Sequence, residues 1–237
     1  MEIKIASAEK DFLDIRNIWK ERFTSDETYL DTIFKYIFPL CRSYIYMLEG
    51  KAVSVISLMP MLYFHEQNGS NNKPLNGFYL FGVATLKEHE GKKLAAKLIS
   101  YASEYLKTEN YDFIFERPAN QSLNKYYFNL GFTVSTYKIP HKFKITGGIC
   151  SSRNIHENPV LKDLSTQILK DIHTCHRRRF EWAIPELLYG LLALGELDEH
   201  NKGYSETYTK ETYIAINPLS YPDPSIFKEA FFCFPME

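Results

Sequence analysis

The chain has 237 residues, 45% hydrophobic and 24% charged, which is ordinary globular usage and excludes a disordered chain or a coiled coil. Its 28 basic and 29 acidic residues nearly balance, although residues 1–150 carry 19 against 16 and residues 151–237 carry 9 against 13. This excludes a polybasic nucleic-acid binder, and the longest strongly apolar stretch, residues 187–195, is far below the roughly 20 residues that span a bilayer.

Alternation at Ile3 and Ile5 predicts a first strand, with Ser7 as cap for a helix whose apolar positions are Phe12, Ile15, Trp19 and Phe23. A second helix is predicted over 25–38, with Asp26 and Glu27 in its first turn and Pro39 as its stop. Residues 43–48 and 52–59 read as a hairpin turned at Glu49-Gly50. After a run at 61–65, the polar stretch NGSNNKPLNG (68–77) reads as a substrate-facing loop. The run 78–86 is almost wholly apolar, as a central strand covered on both faces would be. From Gly91 the spacing turns helical, with Leu94, Leu98, Tyr101, Ala102 and Tyr105 on one face. A strand follows at 111–115, then a short helix through Leu123, Tyr126, Tyr127 and Leu130 that Gly131 ends, then a strand from Phe132 to Lys138. This order predicts an α/β (α+β) fold: a mixed central sheet flanked by helices, with parallel pairing at its middle.

Gly147-Gly148 marks a boundary, and residues 150–237 read as a smaller helix-and-strand region. Helices are expected at 161–172 and 187–194, and strands at Ile214 with Ile216 and at 231–234, separated by a Pro-rich loop. Cys41, Cys150, Cys175 and Cys233 have no pair spacing and read as free thiols. His173, Cys175 and His176 lack a third ligand, so no metal site is expected, and Arg177 to Arg179 read as a charged helix end. The charged N-terminus does not read as a signal peptide, which predicts a cytoplasmic protein. Aromatic residues reach 15%; Tyr29, Tyr36, Tyr63, Phe64 and Tyr79 fit either the core or the lining of an acceptor pocket.

The informative stretch is FGVATLKEHEGKKLAAKL (81–98), a strand running through a short loop into a helix. Helix N-termini expose unpaired N–H groups and partial positive charge, so the junction is suited to an anion. Gly91 lets a phosphate approach the backbone, and Lys87, Lys92, Lys93 and Lys97 add charge. With PANQSLNKYYFNLGF (118–132), this junction resembles the GNAT superfamily of acetyl-CoA-dependent N-acyltransferases. That family shares a strand, a loop of the form Arg/Gln-x-x-Gly-x-Gly/Ala, a helix, a strand and a Tyr-x-x-x-Gly-Phe helix end. The resemblance covers residues 1–140, the expected acyl-CoA-binding domain. The Val-Ala-Thr-Leu strand end, the Pro-Ala-x-x-Ser-Leu motif and the added C-terminal region are similar to the bacterial enhanced-intracellular-survival-like subgroup. In that light, residues 150–237 fit a truncated second GNAT-like unit.

The resemblance implies that acetyl-CoA is a co-substrate and a primary amine of a small molecule or peptide the acceptor, with neither nucleic acid nor membrane as partner. Val83, Ala84 and Thr85 would offer main-chain hydrogen bonds to the pantetheine arm. Gly91, Lys92, Lys93, Leu94, Ala95 and Ala96 would cradle the pyrophosphate, and Ser122 would lie at the thiol end. Two positions depart from the family pattern: Glu90 stands where Arg or Gln is usual and Lys93 where the first glycine is, while Ala95 fits the last position. A carboxylate repels a diphosphate, which leaves a degenerate acyl-CoA-binding or regulatory module without turnover as the alternative; Lys92 and Lys93 offset that charge.

Acyl transfer needs a neutral amine, and a lysine-like amine is unprotonated only about once in 2,500 at pH 7, a penalty of roughly 4.6 kcal/mol. A base must take the proton, and an acid must protonate the departing thiolate. Tyr127, four residues before Gly131, matches the family's tyrosine acid, and Tyr126 is rotated from it by about 100° on the helix. The base stays open between Glu116, at the end of the preceding strand, and Glu237, because the C-terminal carboxylate enters the active site in the resembled subgroup.

Overall fold

The computed structural model describes residues 2–7, 9–67, 70–71, 73–140, 179–183, 209–219 and 231–232. Strand β1 (Glu2–Ile5) leads to helix α1 (Phe12–Arg22) through a turn organised by Asp11. The Asp11 carboxylate accepts the Ser7 N–H at 2.7 Å and the Lys4 ammonium at 2.9 Å. Ser7 is thus held by the turn and does not cap the helix, which starts at Phe12. Helix α2 (Glu27–Thr32) is capped by Asp26, whose carboxylate accepts from Thr28 and Tyr29. The single helix expected over 25–38 is in fact α2, a π turn (Ile33–Ile37) and a 3-10 turn (Phe38–Leu40) that includes Pro39. Arg16 of α1 joins the two helices by ion pairs to Glu27 and Asp31.

Strands β2 (Arg42–Leu48) and β3 (Lys51–Phe64) form the expected hairpin, and both turn residues, Glu49 and Gly50, are left-handed. The polar stretch after β3 is partly paired: β4 (Glu66–Gln67) binds β5 (Ser70–Asn71), and β6 (Leu75–Thr85) already includes residues 75–77. A 3-10 turn (Lys87–His89) leads to α3 (Leu94–Thr108). Strand β7 (Phe113–Glu116), helix α4 (Leu123–Phe128) and strand β8 (Thr133–Pro140) complete the first 140 residues. The C-terminal region adds β9 (Arg179–Trp182), β10 (Thr209–Pro218) and β11 (Phe231–Phe232). Arg179 therefore opens a strand and not a helix end, because its backbone pairs with β3.

The main sheet runs β1-β2-β3-β6-β7-β10-β8, with β9 beside β3 and β11 beside β9. It is the expected mixed sheet flanked by helices, and β6–β7 is its parallel pair at the middle. Two features were not legible in the sequence. Strand β8 does not pair with β7, because β10 lies antiparallel between them. The boundary expected near 140–150 is therefore no division of the sheet. Strand β10 earns its position with buried Ala215 and Ile216 and with Asn217, whose amide donates to the Ser103 hydroxyl of α3 at 3.2 Å. The helices expected at 161–172 and 187–194, together with His173, Cys175, His176, Cys150 and Cys233, lie outside the described residues.

One core cluster joins Tyr44, Ile56, Leu58, Phe78 and Leu80 of the sheet to Leu94, Leu98, Ile99, Ala102 and Leu106 of α3 and Tyr127 of α4. Burial of each such Leu or Ile contributes about 1.5–3 kcal/mol. Strand alternation turns Ile45, Val55 and Met59 to the other face, which receives α1. There the Trp19 ring lies 5.1 Å from the Phe81 ring and directly over Gly82. Tyr36, Tyr63 and Tyr79 are buried, the core option of the sequence reading, and Tyr29 and Phe64 are half-buried. Cys41 is free, and its thiol donates to the Ile37 carbonyl.

Gly82 combines a φ of +63° with no room for a side chain, since a Cβ there would lie 2.1 Å from the Trp19 ring. Gly82→Ala should cost about 3 kcal/mol or more, combining left-handed strain with overpacking. Urea unfolding monitored by tryptophan fluorescence would show it as a lower midpoint.

Candidate active site

Strand β6 changes partner arrangement part-way along. It pairs with β7 only from Gly77–Phe113 to Tyr79–Phe115. Beyond that, among the described residues, it has a strand on the β3 side alone. The β3–β6 register also slips between Val55 and Ser57, so that Gly82 and Val83 together face Ile56. This is a β-bulge, with the left-handed glycine such bulges favour. After it, the Ala84 carbonyl accepts the Ser54 hydroxyl at 2.9 Å and the Leu86 N–H donates to Val53 at 3.0 Å. Alternation then turns the Thr85 main chain to the open edge. Of the three residues expected to contact a pantetheine arm, Thr85 has this orientation, Val83 lies in the bulge and Ala84 has its carbonyl committed to β3.

The loop after β6 is built from unusual backbone. Gly91 has φ +74° and, with nothing within 4 Å of a notional Cβ, lies in open space. Lys93 has φ +58° and is the N-cap of α3. The family pattern has glycine at this position, and here a lysine adopts the conformation glycine would take freely. No side chain caps α3, and its first backbone bond runs from the Lys97 N–H to the Lys93 carbonyl. The N–H groups of Leu94, Ala95 and Ala96 therefore have no intrahelical acceptor and are available to an anion. Lys87, Lys92 and Lys93 are exposed around the loop, and Lys92 contacts the His89 ring at 3.0 Å. Lys97 instead holds its ammonium over the Tyr46 ring at 5.7 Å.

Glu90 is not an unpaired carboxylate. It forms an ion pair with Arg22, the last residue of α1, and the adjacent Glu21 accepts the Lys87 N–H at 2.7 Å. Sequence reasoning missed both residues. They are separated from their loop partners by 68 and 66 positions, and neither belongs to a local motif.

The two side chains proposed as acid and base meet. Tyr127 on α4 donates its hydroxyl to Glu116 Oε1 at 3.2 Å, and both residues are buried, at 4% and 7% exposure. Glu116 is the residue at which β7 stops pairing with β6, so the carboxylate stands where the two strands part. Its Oε2 is buried and has no hydrogen-bond partner among the described residues. Burial pushes the carboxyl up to about 8, against the smaller opposing effects of the Tyr127 hydrogen bond and of Arg117. Burial, then the neighbouring Glu116 charge, raises the Tyr127 phenol well above its ordinary value, so it stays protonated at any working pH. Tyr126 is half-buried, and its phenol is also raised by burial and by Glu116. Ser122 is exposed, and its N–H and hydroxyl both bond to Asn120. Glu237 lies outside the described residues.

Residues 3–135 match the family model for the acetyltransferase (GNAT) domain. No curated protein sequence matches the chain. Among solved structures it is similar to a GNAT family N-acetyltransferase from Escherichia coli in complex with CoA, at 14% identity and TM-score 0.44, covering 56% of this chain and 68% of that one. A GNAT family acetyltransferase from Brucella melitensis in complex with acetyl-CoA gives 16% identity and TM-score 0.41, covering 56% and 82%. A conserved protein of unknown function from Enterococcus faecalis gives 11% identity and TM-score 0.50, covering 80% of this chain but only 48% of that one, and shows the shared fold.

Because the Glu116 carboxyl is raised from 4.5 to about 8, the native state holds a proton that the unfolded chain releases. The corresponding stability is complete below about pH 4.5 and lost as pH rises through about 8. Thermal melts across this window should show a falling midpoint, and Glu116→Gln should flatten the fall.

Proposed function

The chain belongs to the GNAT acetyltransferase domain family, and from this premise we propose that it transfers an acetyl group from acetyl-CoA to a primary amine of a small molecule or peptide. The observation that carries the reading is the buried Tyr127–Glu116 pair at the point where β6 and β7 separate. The residues available around it fit the co-substrate. Leu94, Ala95 and Ala96 offer free N–H groups to a diphosphate, Gly91 leaves open space beside them, and Lys92 and Lys93 add charge. Val83 and Thr85 border the open edge of β6, suited to a pantetheine arm, and Ser122 at the start of α4 is exposed toward solvent. The bound thioester would supply the acetyl carbon that the amine attacks.

Glu116 has the attributes of the base. Its Oε2 has no hydrogen-bond partner among the described residues, and a carboxyl near 8 exchanges its proton close to working pH. At pH 7 ionising a carboxyl near 8 costs about 1.4 kcal/mol and taking a proton from a lysine-like ammonium about 3.3 more, so the base leaves the roughly 4.6 kcal/mol unchanged and supplies the path by which the proton leaves. Tyr127 protonates the departing thiolate. In the same step Glu116, 3.2 Å away and now carrying the amine's proton, passes it to the Tyr127 oxygen so that no free phenolate forms, and the nitrogen's second proton leaves to solvent. The pair ends as it began.

Within the family, the Val-Ala-Thr-Leu strand end, the Pro-Ala-x-x-Ser-Leu motif and the C-terminal region support affinity with the enhanced-intracellular-survival-like subgroup, and with it a cytoplasmic, bacterial setting. In this reading residues 1–140 are the acyl-CoA-binding unit, and the region from 150 onward completes its sheet through β10.

At 100-fold excess over Kd, acetyl-CoA should stabilise the protein by about 2.7 kcal/mol, and no thermal shift at millimolar acetyl-CoA would sink the enzyme reading. Tyr127→Phe should reduce kcat by about 10²- to 10⁴-fold with unchanged acetyl-CoA affinity, while Tyr126→Phe should leave kcat near wild type. The pH profile of kcat/KM should rise to a plateau with an inflection near 8 that disappears in Glu116→Gln.

A further inference from the structure

We propose that Arg22 is a diphosphate ligand held in reserve by Glu90: the Arg22–Glu90 ion pair opens when the anion arrives, and α1 supplies the guanidinium that the loop's own sequence lacks. The inference rests on the acetyl-CoA reading above, and concerns a residue outside the loop.

The last turns of α1 grip the strand, loop and helix junction at successive points. Trp19 packs over the bulge glycine Gly82, the Glu21 carboxylate accepts the Lys87 N–H at 2.7 Å, and Arg22 pairs with Glu90. The guanidinium is thereby brought to the residue immediately before Gly91 and four before the first residue of α3, whose leading N–H groups lack acceptors. The partners differ in their surroundings: the Arg22 side chain is 26% exposed and the Glu90 side chain 54%. Arg22 is the better-packed member and Glu90 the more solvated one, so Glu90 is the partner free to swing away.

The chemistry of exchange follows from shape and charge. A guanidinium presents the same planar fork to a carboxylate and to a phosphate, so one side chain can pass from the first to the second without changing its own geometry. A diphosphate carries more charge than a carboxylate. It would also gain the α3 N–H groups and the lysines, none of which Glu90 uses in the ion pair. In the free protein Glu90 keeps the guanidinium paired and aimed at the loop. In the complex its carboxylate returns to water, where it is already half exposed.

A purely structural brace predicts a different outcome from a competing latch, and the sign of one substitution separates them. Calorimetric titration of the full-length protein with acetyl-CoA, and separately with inorganic pyrophosphate, should show Arg22→Ala binding about tenfold or more weakly to both, with a shallower salt dependence. Glu90→Gln should bind both more tightly than wild type, because the competitor has lost its charge. Arg22→Lys should recover only part of the loss, since an ammonium lacks the fork. If Glu90→Gln weakens binding as Arg22→Ala does, the pair is a brace and the latch is overturned. If Arg22→Ala binds as wild type does, Arg22 is no ligand. Should wild type itself bind no acetyl-CoA, the underlying enzyme reading fails instead. Thermal unfolding of each unliganded variant checks that it is folded.

Discussion

The site depends on the parting of two parallel strands. Strands β6 and β7 are in register for three residue pairs and then separate, and three residues beyond the last pair β6 bulges at Gly82 and Val83. A bulge sharpens local twist and bends the strand that carries it. Here it is locked by Trp19, which fills the volume any Cβ at position 82 would need. An edge inside a sheet is normally costly, because unpaired N–H and C=O groups must find other partners. Among the described residues this protein keeps such an edge where a long, hydrogen-bonding substrate arm would use it. The helix that locks the bulge also grips the following loop through Glu21 and Arg22, so strand, loop and helix N-terminus are oriented by one element.

The same parting accounts for the chemistry of Glu116. A carboxylate paired within a continuous sheet interior would be a liability, and one in solvent would have an ordinary affinity for protons. Glu116 is neither. It stands at the end of β7, buried beneath α4, with one oxygen on the Tyr127 hydroxyl and the other without a partner among the described residues. Burial without full satisfaction raises its proton affinity into the neutral range. The fold gives up stability at alkaline pH to keep a titratable group poised near working conditions, a compromise that recurs at catalytic positions.

Much of this was legible in the residues, and the failures are instructive. The hairpin at Glu49-Gly50, the amphipathic α3, and the short α4 ended by Gly131 follow from turn chemistry and helical spacing, which are local properties. Tyr127 could be singled out because its distance from Gly131 is a local spacing as well. Ser7 misled because the helix starts five residues later, at Phe12, and the Asp11 carboxylate instead holds the Ser7 N–H in the preceding turn. Glu90 read as a defect because its neutralising partner is 68 residues earlier in the chain. Glu116 could be offered only as one of two candidate bases for a similar reason: its burial depends on α4 and on β10, an element from the far end of the sequence.

By itself, then, the sequence determined the element types, the family pattern of a strand, anion loop and helix, and the identity of the phenol on α4. Those are encoded over a few residues at a time, in periodicity, capping and backbone freedom. Tertiary structure alone decided that β10 enters between β7 and β8, that Arg22 answers Glu90, and that Glu116 and Tyr127 share a buried hydrogen bond. Each of these joins residues remote in sequence, and its energy arises only when packing removes water and brings the partners within hydrogen-bond range. No local pattern records that.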